Sequence, residues 1–192
     1  MKKFLICLSV IVFLPSVLHA DKETKIGVSP AFVNFEIDDP DGSADSFAGF
    51  QGLSITTIHN FNNKQRLLAV LNYYDFDVDA STSDIGQEIK GYQLGTYIQQ
   101  KMRISRAFNF YAGLGLAYSS IEFKNRYTLD HDGYLRERFD DRDEGFLSLM
   151  ANVSKEWAIT EKFDLGADLS FQYGIGDVFS GLKLTLNLLY KF

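Results

Sequence analysis

Two histidines stand beyond the first 20 residues of the chain, His59 and His131, and they are its most obvious candidates for proton transfer. A hydrolase or acyltransferase needs such a ring within hydrogen-bond reach of a Ser and a carboxylate. His59 falls beside Asn60 in what reads as a short turn, and His131 falls within Asp130-His131-Asp132-Gly133. Neither neighbours a Ser on a strand, so no catalytic residue is assigned and an enzyme is not expected. Asp39-Pro40-Asp41-Gly42-Ser43-Ala44-Asp45 and Asp130-His131-Asp132-Gly133 each set carboxylates around an Asp-Gly turn, as calcium loops do. The bidentate acid such a loop needs further along is missing, so both read as acidic turns, with no metal and no cofactor expected. The remaining chemistry is recognition. Arg126, Arg136, Arg138 and Arg142 interleave with Tyr127, Tyr134 and Phe139, a mixture suited to contacting phosphates or a protein surface.

These residues need elements to hold them, and the C-terminal dozen shows which kind. Leu182, Leu184, Leu186, Leu188, Tyr190 and Phe192 share one parity, while Lys183, Thr185, Asn187 and Lys191 share the other, with Leu189 the exception. A period of two is that of a strand with one apolar and one polar face. The pattern recurs upstream. Phe163, Leu165, Ala167, Leu169, Phe171 and Tyr173 oppose Asp164, Gly166, Asp168, Ser170 and Gln172. Leu147, Leu149, Ala151, Val153 and Trp157 oppose Ser148, Asn152, Ser154 and Glu156. Phe108 to Tyr118 and Tyr92 to Ile98 alternate likewise. Segments 25–36, 47–58 and 66–77 complete a set of eight strands. Pro30 is awkward in the first of these. The facing of the other two is open, because Asn72 breaks one parity and Asp75 and Asp77 the other.

Connections alternate in length. Links 37–46, 78–87 and 124–144 are long and charged, whereas those near 59–63, 103–106 and 158–162 are short, and 174–180 is intermediate. An all-β, eight-stranded antiparallel up-and-down barrel with both termini on the short-turn side follows, crossing a bilayer with its apolar faces outward. A soluble barrel with those faces inward would show the same alternation. The Gly-, Ser-, Asn- and Gln-rich polar faces, and aromatic residues gathered near strand ends, favour the membrane arrangement. Lys183, Lys191, Asp164, Asp168, Glu156 and Lys101 then face a narrow interior, where charges must be paired or hydrated. A last hairpin turning near Asp177 makes paired positions sum to about 354 and sets Asp164 close to Lys191.

The front of the chain reads as a secretory signal peptide, residues 1–20: Lys2 and Lys3, an apolar run from Phe4 to Leu14, then Leu18-His19-Ala20. Its removal leaves 172 of 192 residues, one barrel domain over 21–192, with 17 basic against 25 acidic residues. That balance argues against nucleic acid as a partner. The only cysteine, Cys7, leaves with the signal, so no disulfide is available.

Phe110-Tyr111-Ala112-Gly113-Leu114-Gly115-Leu116-Ala117-Tyr118 resembles the Y-x-G-x-G-x-x-Y strand of small outer-membrane barrels of Gram-negative bacteria, the OmpA-like and opacity-protein group. Phe163 to Leu169 and Leu186 to Phe192 resemble the same group. The resemblance implies an outer-membrane location and surface loops at 37–46, 78–87 and 124–144. It also implies Leu186, Leu188, Tyr190 and Phe192 as the signal read by the barrel-insertion machinery. Lipid bilayer, lipopolysaccharide and possible external proteins are the implied partners of a monomer with a structural or surface-contact role. A narrow porin-like conduit for small or apolar solutes is the alternative, and a lipid-modifying enzyme a third.

Overall fold

The computed structural model describes residues 23–38, 44–82, 84–105, 108–175 and 180–192. The expected signal peptide, and most of the acidic turn 39–45, lie outside these residues. Among the described residues nine strands form: β1 (Thr24–Asp38), β2 (Ala44–Asn60), β3 (Gln65–Val78), β4 (Gly86–Arg103), β5 (Asn109–Leu129), β6 (Leu135–Arg138), β7 (Arg142–Ala158), β8 (Phe163–Gly174) and β9 (Ser180–Lys191). Every pairing is antiparallel, β4 meets β5, and β1 meets β9, so eight strands close a barrel. The ninth, β6, pairs only with the far end of β5.

The short turns share one design. In Phe61–Gln65, Ile104–Phe108 and Ile159–Phe163 the first residue's N–H donates to the fifth residue's carbonyl, at 3.0, 3.2 and 3.0 Å. The second residue of each turn (Asn62, Ser105, Thr160) uses its side-chain oxygen to accept the fifth residue's N–H at 2.9–3.1 Å. The first of these turns comes two residues later than the sequence suggests, so His59 and Asn60 belong to β2. His59 is buried, with Nδ1 3.1 Å from Thr24 Oγ1, and is not a solvated turn residue. The start of β1 and the end of β9 meet on this side: the Phe192 N–H donates to the Thr24 carbonyl at 3.0 Å.

Facing follows side-chain chemistry. Leu182, Leu184, Leu186 and Leu188 stand outside at 47–57% exposure, while Lys183, Thr185, Asn187 and Leu189 are buried inside. An outer surface so apolar is stable against hydrocarbon and costly against water. Aromatic rings bound it at both ends. Phe163, Tyr190 and Phe192 stack edge to face at 5.3 and 5.0 Å at the short-turn end, and Tyr73 meets Tyr92 at 5.3 Å at the other.

The wall strands run from 12 to 21 residues, longer than the roughly 9–11 a tilted crossing needs. Above the Tyr73–Tyr92 pair the two faces exchange character. Val33, Tyr74, Ile89, Ile121, Phe123 and Phe146 pack together inside. Asp75, Glu88, Lys90, Glu122 and Lys124 point out. This upper part is built like a water-soluble barrel. The facing of β3 is thereby settled: Arg66, Leu68, Val70, Asn72 and Tyr74 face in, Asp75 and Asp77 out. The last hairpin's register also differs from the expected one. Paired positions in β8 and β9 sum to 353, as in Leu165 with Leu188. The outward parity is odd in β8 and even in β9, so the sum must be odd and 354 would turn one strand inside out.

Candidate functional site

The interior is filled in layers. At the short-turn end Lys25 Nζ donates to Glu156 Oε2 at 2.6 Å and Asp164 Oδ2 at 2.7 Å. Lys191 Nζ reaches Asp164 Oδ1 at 2.9 Å, so the expected pair meets, although Asp164's direct partner on the neighbouring strand is Leu189. Arg66 ion-pairs with Glu156, donates to Gln99 Oε1 at 2.5 Å and Ser154 Oγ at 2.7 Å, and lies 3.5 Å above the Tyr111 ring. Lys101 stands exposed at this mouth, 5.8 Å from the same ring. Sequence reasoning singles out neither Lys25 nor Arg66; for Arg66 the available signal is a lone cation on the parity of Leu68 and Val70.

Above this lies an apolar layer of Ile58, Leu68, Val70, Tyr97, Ala117, Met150 and Leu189. Asp168 beside it accepts from Asn152 Nδ2 at 2.5 Å and from Ser170 Oγ at 2.9 Å. Higher still, Asn72 bridges Ser54, Gln93 and Lys183 at 2.6, 2.7 and 3.1 Å, and Gln93 continues to Ser119 and Gln172. The glycines of the Tyr-x-Gly-x-Gly segment explain how β5 admits such large neighbours. A Cβ on Gly113 would lie 2.7 Å from the Gln99 Cγ, and one on Gly115 would collide with the Thr96 carbonyl. The Val33–Phe146 cluster caps the stack. An interior void lined by Arg66, Lys183 and Asn187 measures about 20 Å³, room for about one water.

The other feature is the hairpin that β5 and β7 raise from the long-loop end. The 124–144 stretch, read from sequence as a polar loop, is largely strand: β6 pairs Tyr127 with Arg138 and Thr128 with Glu137. Asn125 makes the kink, with φ 52°, a conformation Asn tolerates better than most residues. Its Nδ2 donates to Glu88 Oε1 at 2.6 Å and its N–H to Asp141 Oδ1 at 2.9 Å. Outside the membrane band, that amide bond holds the Glu88 carboxyl below its ordinary value. The tip turns through Gly133, φ 81°, while Asp130 Oδ1 accepts the N–H groups of Asp132 and Tyr134 at 3.0 and 2.8 Å. This carboxylate is therefore engaged in shaping its turn, and His131 beside it is exposed.

The seven predicted contact residues divide. Arg126 is buried; it donates to Gln87 Oε1 at 3.3 Å and the Asp140 carbonyl at 3.1 Å, with its guanidinium 5.5 Å from the Phe139 ring. Arg142 lies 4.6 Å over Phe123 and pairs with Glu144 at 3.2 Å. Both are engaged within the hairpin base, where the sequence reading expects surface contact. Tyr127 and Phe139 are half-buried, whereas Tyr134, Arg136 and Arg138 are exposed. These last three share the even parity at and along β6, hence one face, with Leu135 and Glu137 on the other. Of the expected insertion signal, Leu186 and Leu188 face out and Tyr190 meets Phe192 edge to face.

Solved structures match this architecture over nearly the whole chain. Neisserial surface protein A superposes with a TM-score of 0.62 at 17% identity, covering 88% of this chain and 97% of that one. It has the fold of the small eight-stranded outer-membrane barrels. Ail, the attachment invasion locus protein of Yersinia pestis, solved in complex with the heparin analogue sucrose octasulfate, gives 0.56 at 17% identity over 90% of this chain and 100% of that one. The outer membrane protein OprG of Pseudomonas aeruginosa gives 0.55 at 16% identity over 91% and 97%. No protein-family model matches the sequence, and no curated protein does.

Proposed function

We propose that the chain is a monomeric outer-membrane surface protein, exported by residues 1–20, with its short turns in the periplasm and its work done by the β5–β6–β7 hairpin. The observation that carries this reading is the division of labour among the hairpin's arginines. Arg126 and Arg142 hold the hairpin rigid, leaving Tyr134, Arg136 and Arg138 exposed on one face. Two guanidinium groups two residues apart on a strand lie about 7 Å from each other, a spacing that suits two phosphate or sulfate groups on a saccharide. Tyr134 adds a ring able to stack on a sugar face. The proposed ligand is therefore an anionic saccharide, either lipopolysaccharide of the same surface or an external sulfated glycan. The Ail complex with a sulfated saccharide supports the choice of probe.

The test is titration of bilayer-reconstituted protein with sucrose octasulfate and, separately, with purified lipopolysaccharide. Exchange of Arg136 and Arg138 for Gln together should weaken binding of the cognate probe at least tenfold, and raised salt should do the same. Binding unchanged by the double exchange would reject the assignment. Binding of a protein partner with no response to either saccharide would move it to another class of ligand. The ionic layer and the two apolar layers across the interior argue against the conduit alternative. Single-channel recording should show no steady openings.

A further inference from the structure

The outward face of β7 carries a charge where the barrel wall is otherwise apolar. Val153, Lys155 and Trp157 share that face, and Lys155 sits one rung to the bilayer side of Trp157. Among the described residues between the two aromatic rows, no other outward side chain is charged. Lys155 pairs with Ala167 of β8 on one side and lies one rung beyond the Tyr111–Ser154 pair on the other, beside Phe110. Its Nζ lies 5.1 Å from the Phe108 ring and donates to Asn109, to the carbonyl at 2.5 Å and the side-chain oxygen at 3.4 Å. Those acceptors are neutral, and no carboxylate among the described residues comes within 4.0 Å of it. A lysine so placed extends its ammonium toward the headgroup layer while its stem lies along the wall.

Beside it the wall is hollow. Ala167 is small between larger neighbours, and Phe110, Val153, Leu169 and Leu184 border a depression of about 460 Å³; Asp168 and Ser154 also line it, but the Asp168 carboxylate is turned inward onto Asn152 and Ser170 and the open surface is apolar. That lies within the range of about 300–1,000 Å³ occupied by small-molecule sites. An apolar trough running from an uncompensated cation is complementary to one class of molecule, a lipid with a negative headgroup. We infer that this hollow seats one anionic glycerophospholipid of the periplasmic leaflet, an acyl chain over Ala167 and the headgroup phosphate on Lys155. The inference rests on the bilayer-facing reading of the outer surface and is independent of what the hairpin binds.

Trp157 provides the assay, because it is the only tryptophan in the chain and lies two residues from Lys155 on the same face, about 7 Å away. The mature protein is reconstituted into mixed bilayers containing brominated phosphatidylglycerol or, at the same mole fraction, brominated phosphatidylcholine. Quenching should give a relative affinity at least twofold in favour of phosphatidylglycerol. Lys155→Gln should bring that ratio to one, while Lys162→Gln, in the exposed turn at the same end, should leave it intact. Ala167→Leu fills the trough with Lys155 in place and should lower phosphatidylglycerol quenching too. A ratio of one in the unchanged protein, or a ratio that survives Lys155→Gln, overturns the site. Trp157 unquenched by either lipid would instead overturn the bilayer placement itself, and the site with it.

Discussion

Asp164 accepts Lys191 on one carboxylate oxygen at 2.9 Å and Lys25 on the other at 2.7 Å, so a single side chain of β8 ties together the last strand and the first. Lys25 and Lys191 are themselves paired across that closing seam. With Asp164 removed, Lys191 is left with the Thr160 carbonyl, and Lys25 with Glu156, which Arg66 also holds, and the more distant Glu23. Asp164→Asn is expected to destabilise the barrel by about 3 kcal/mol, at the low end for a broken buried pair because the mouth is wet. Urea unfolding in lipid or detergent measures it, and a loss under about 1 kcal/mol would show the seam does not depend on this carboxylate.

Gly115 faces inward beside β4, and a Cβ there has no space before the Thr96 carbonyl. Gly115→Ala should cost about 1–3 kcal/mol by overpacking. Gly133, with nothing within 4 Å of an added Cβ, tests the other property of glycine. There Gly133→Asn should cost less than the Gly115 change, under about 1 kcal/mol, since Asn tolerates a positive φ better than other side chains. Paired melting curves of the two variants check both expectations.

Arg126 and Arg136 should separate stability from contact. Arg126→Ala removes bonds to Gln87 and the Asp140 carbonyl in a buried site and is expected to cost about 1–3 kcal/mol, loosening hydrogen exchange at the hairpin base. Arg136→Ala should leave exchange and melting unchanged. If the two behave alike, the division between brace and contact residues is wrong.

Acid should loosen the base of the hairpin. The Glu88 carboxyl is held below its ordinary value of 4.5, chiefly by the Asn125 amide bond. A depressed folded value means its support is complete above 4.5 and disappears as pH falls through the lower folded value. Amide signals of Asn125 followed from pH 6 downward should therefore hold steady through about pH 5 and shift only below the ordinary Glu range. Glu88→Gln should flatten that shift, and an identical profile in the variant would contradict the assignment.

The eight wall strands, their order and the outward faces of β4, β5, β7, β8 and β9 were legible because alternate residues keep one polarity across the bilayer, with exceptions such as Leu189 and Lys155 too few to hide the pattern. β3 was not, and the reason is physical. A single polarity rule cannot describe a strand that begins in hydrocarbon and ends in water: Asn72 and Tyr74 face in, and Asp75 and Asp77 face out, because the solvent outside changes between them. The hairpin arginines were legible as a group but not by role. Whether a guanidinium reaches outward or folds onto Phe139, as Arg126 does, depends on the kink at Asn125, which leaves only a common residue type in the sequence. Arg66 and Lys155 went unseen for a similar reason, since each is a lone charge whose meaning comes from neighbours on other strands.

The central claim is that leucines of β9 meet hydrocarbon while Thr185 and Asn187 face a closed interior. With Cys7 the only cysteine in the sequence and residues 1–20 removed, single cysteines at Leu184, Thr185, Leu186, Asn187 and Leu188 can carry spin labels without competition. In reconstituted bilayers, collision with oxygen should be high at Leu184, Leu186 and Leu188 and low at Thr185 and Asn187, a period of two, with little contact from a water-soluble relaxer at any of the five. High contact with the water-soluble relaxer at the three leucine positions would contradict the account.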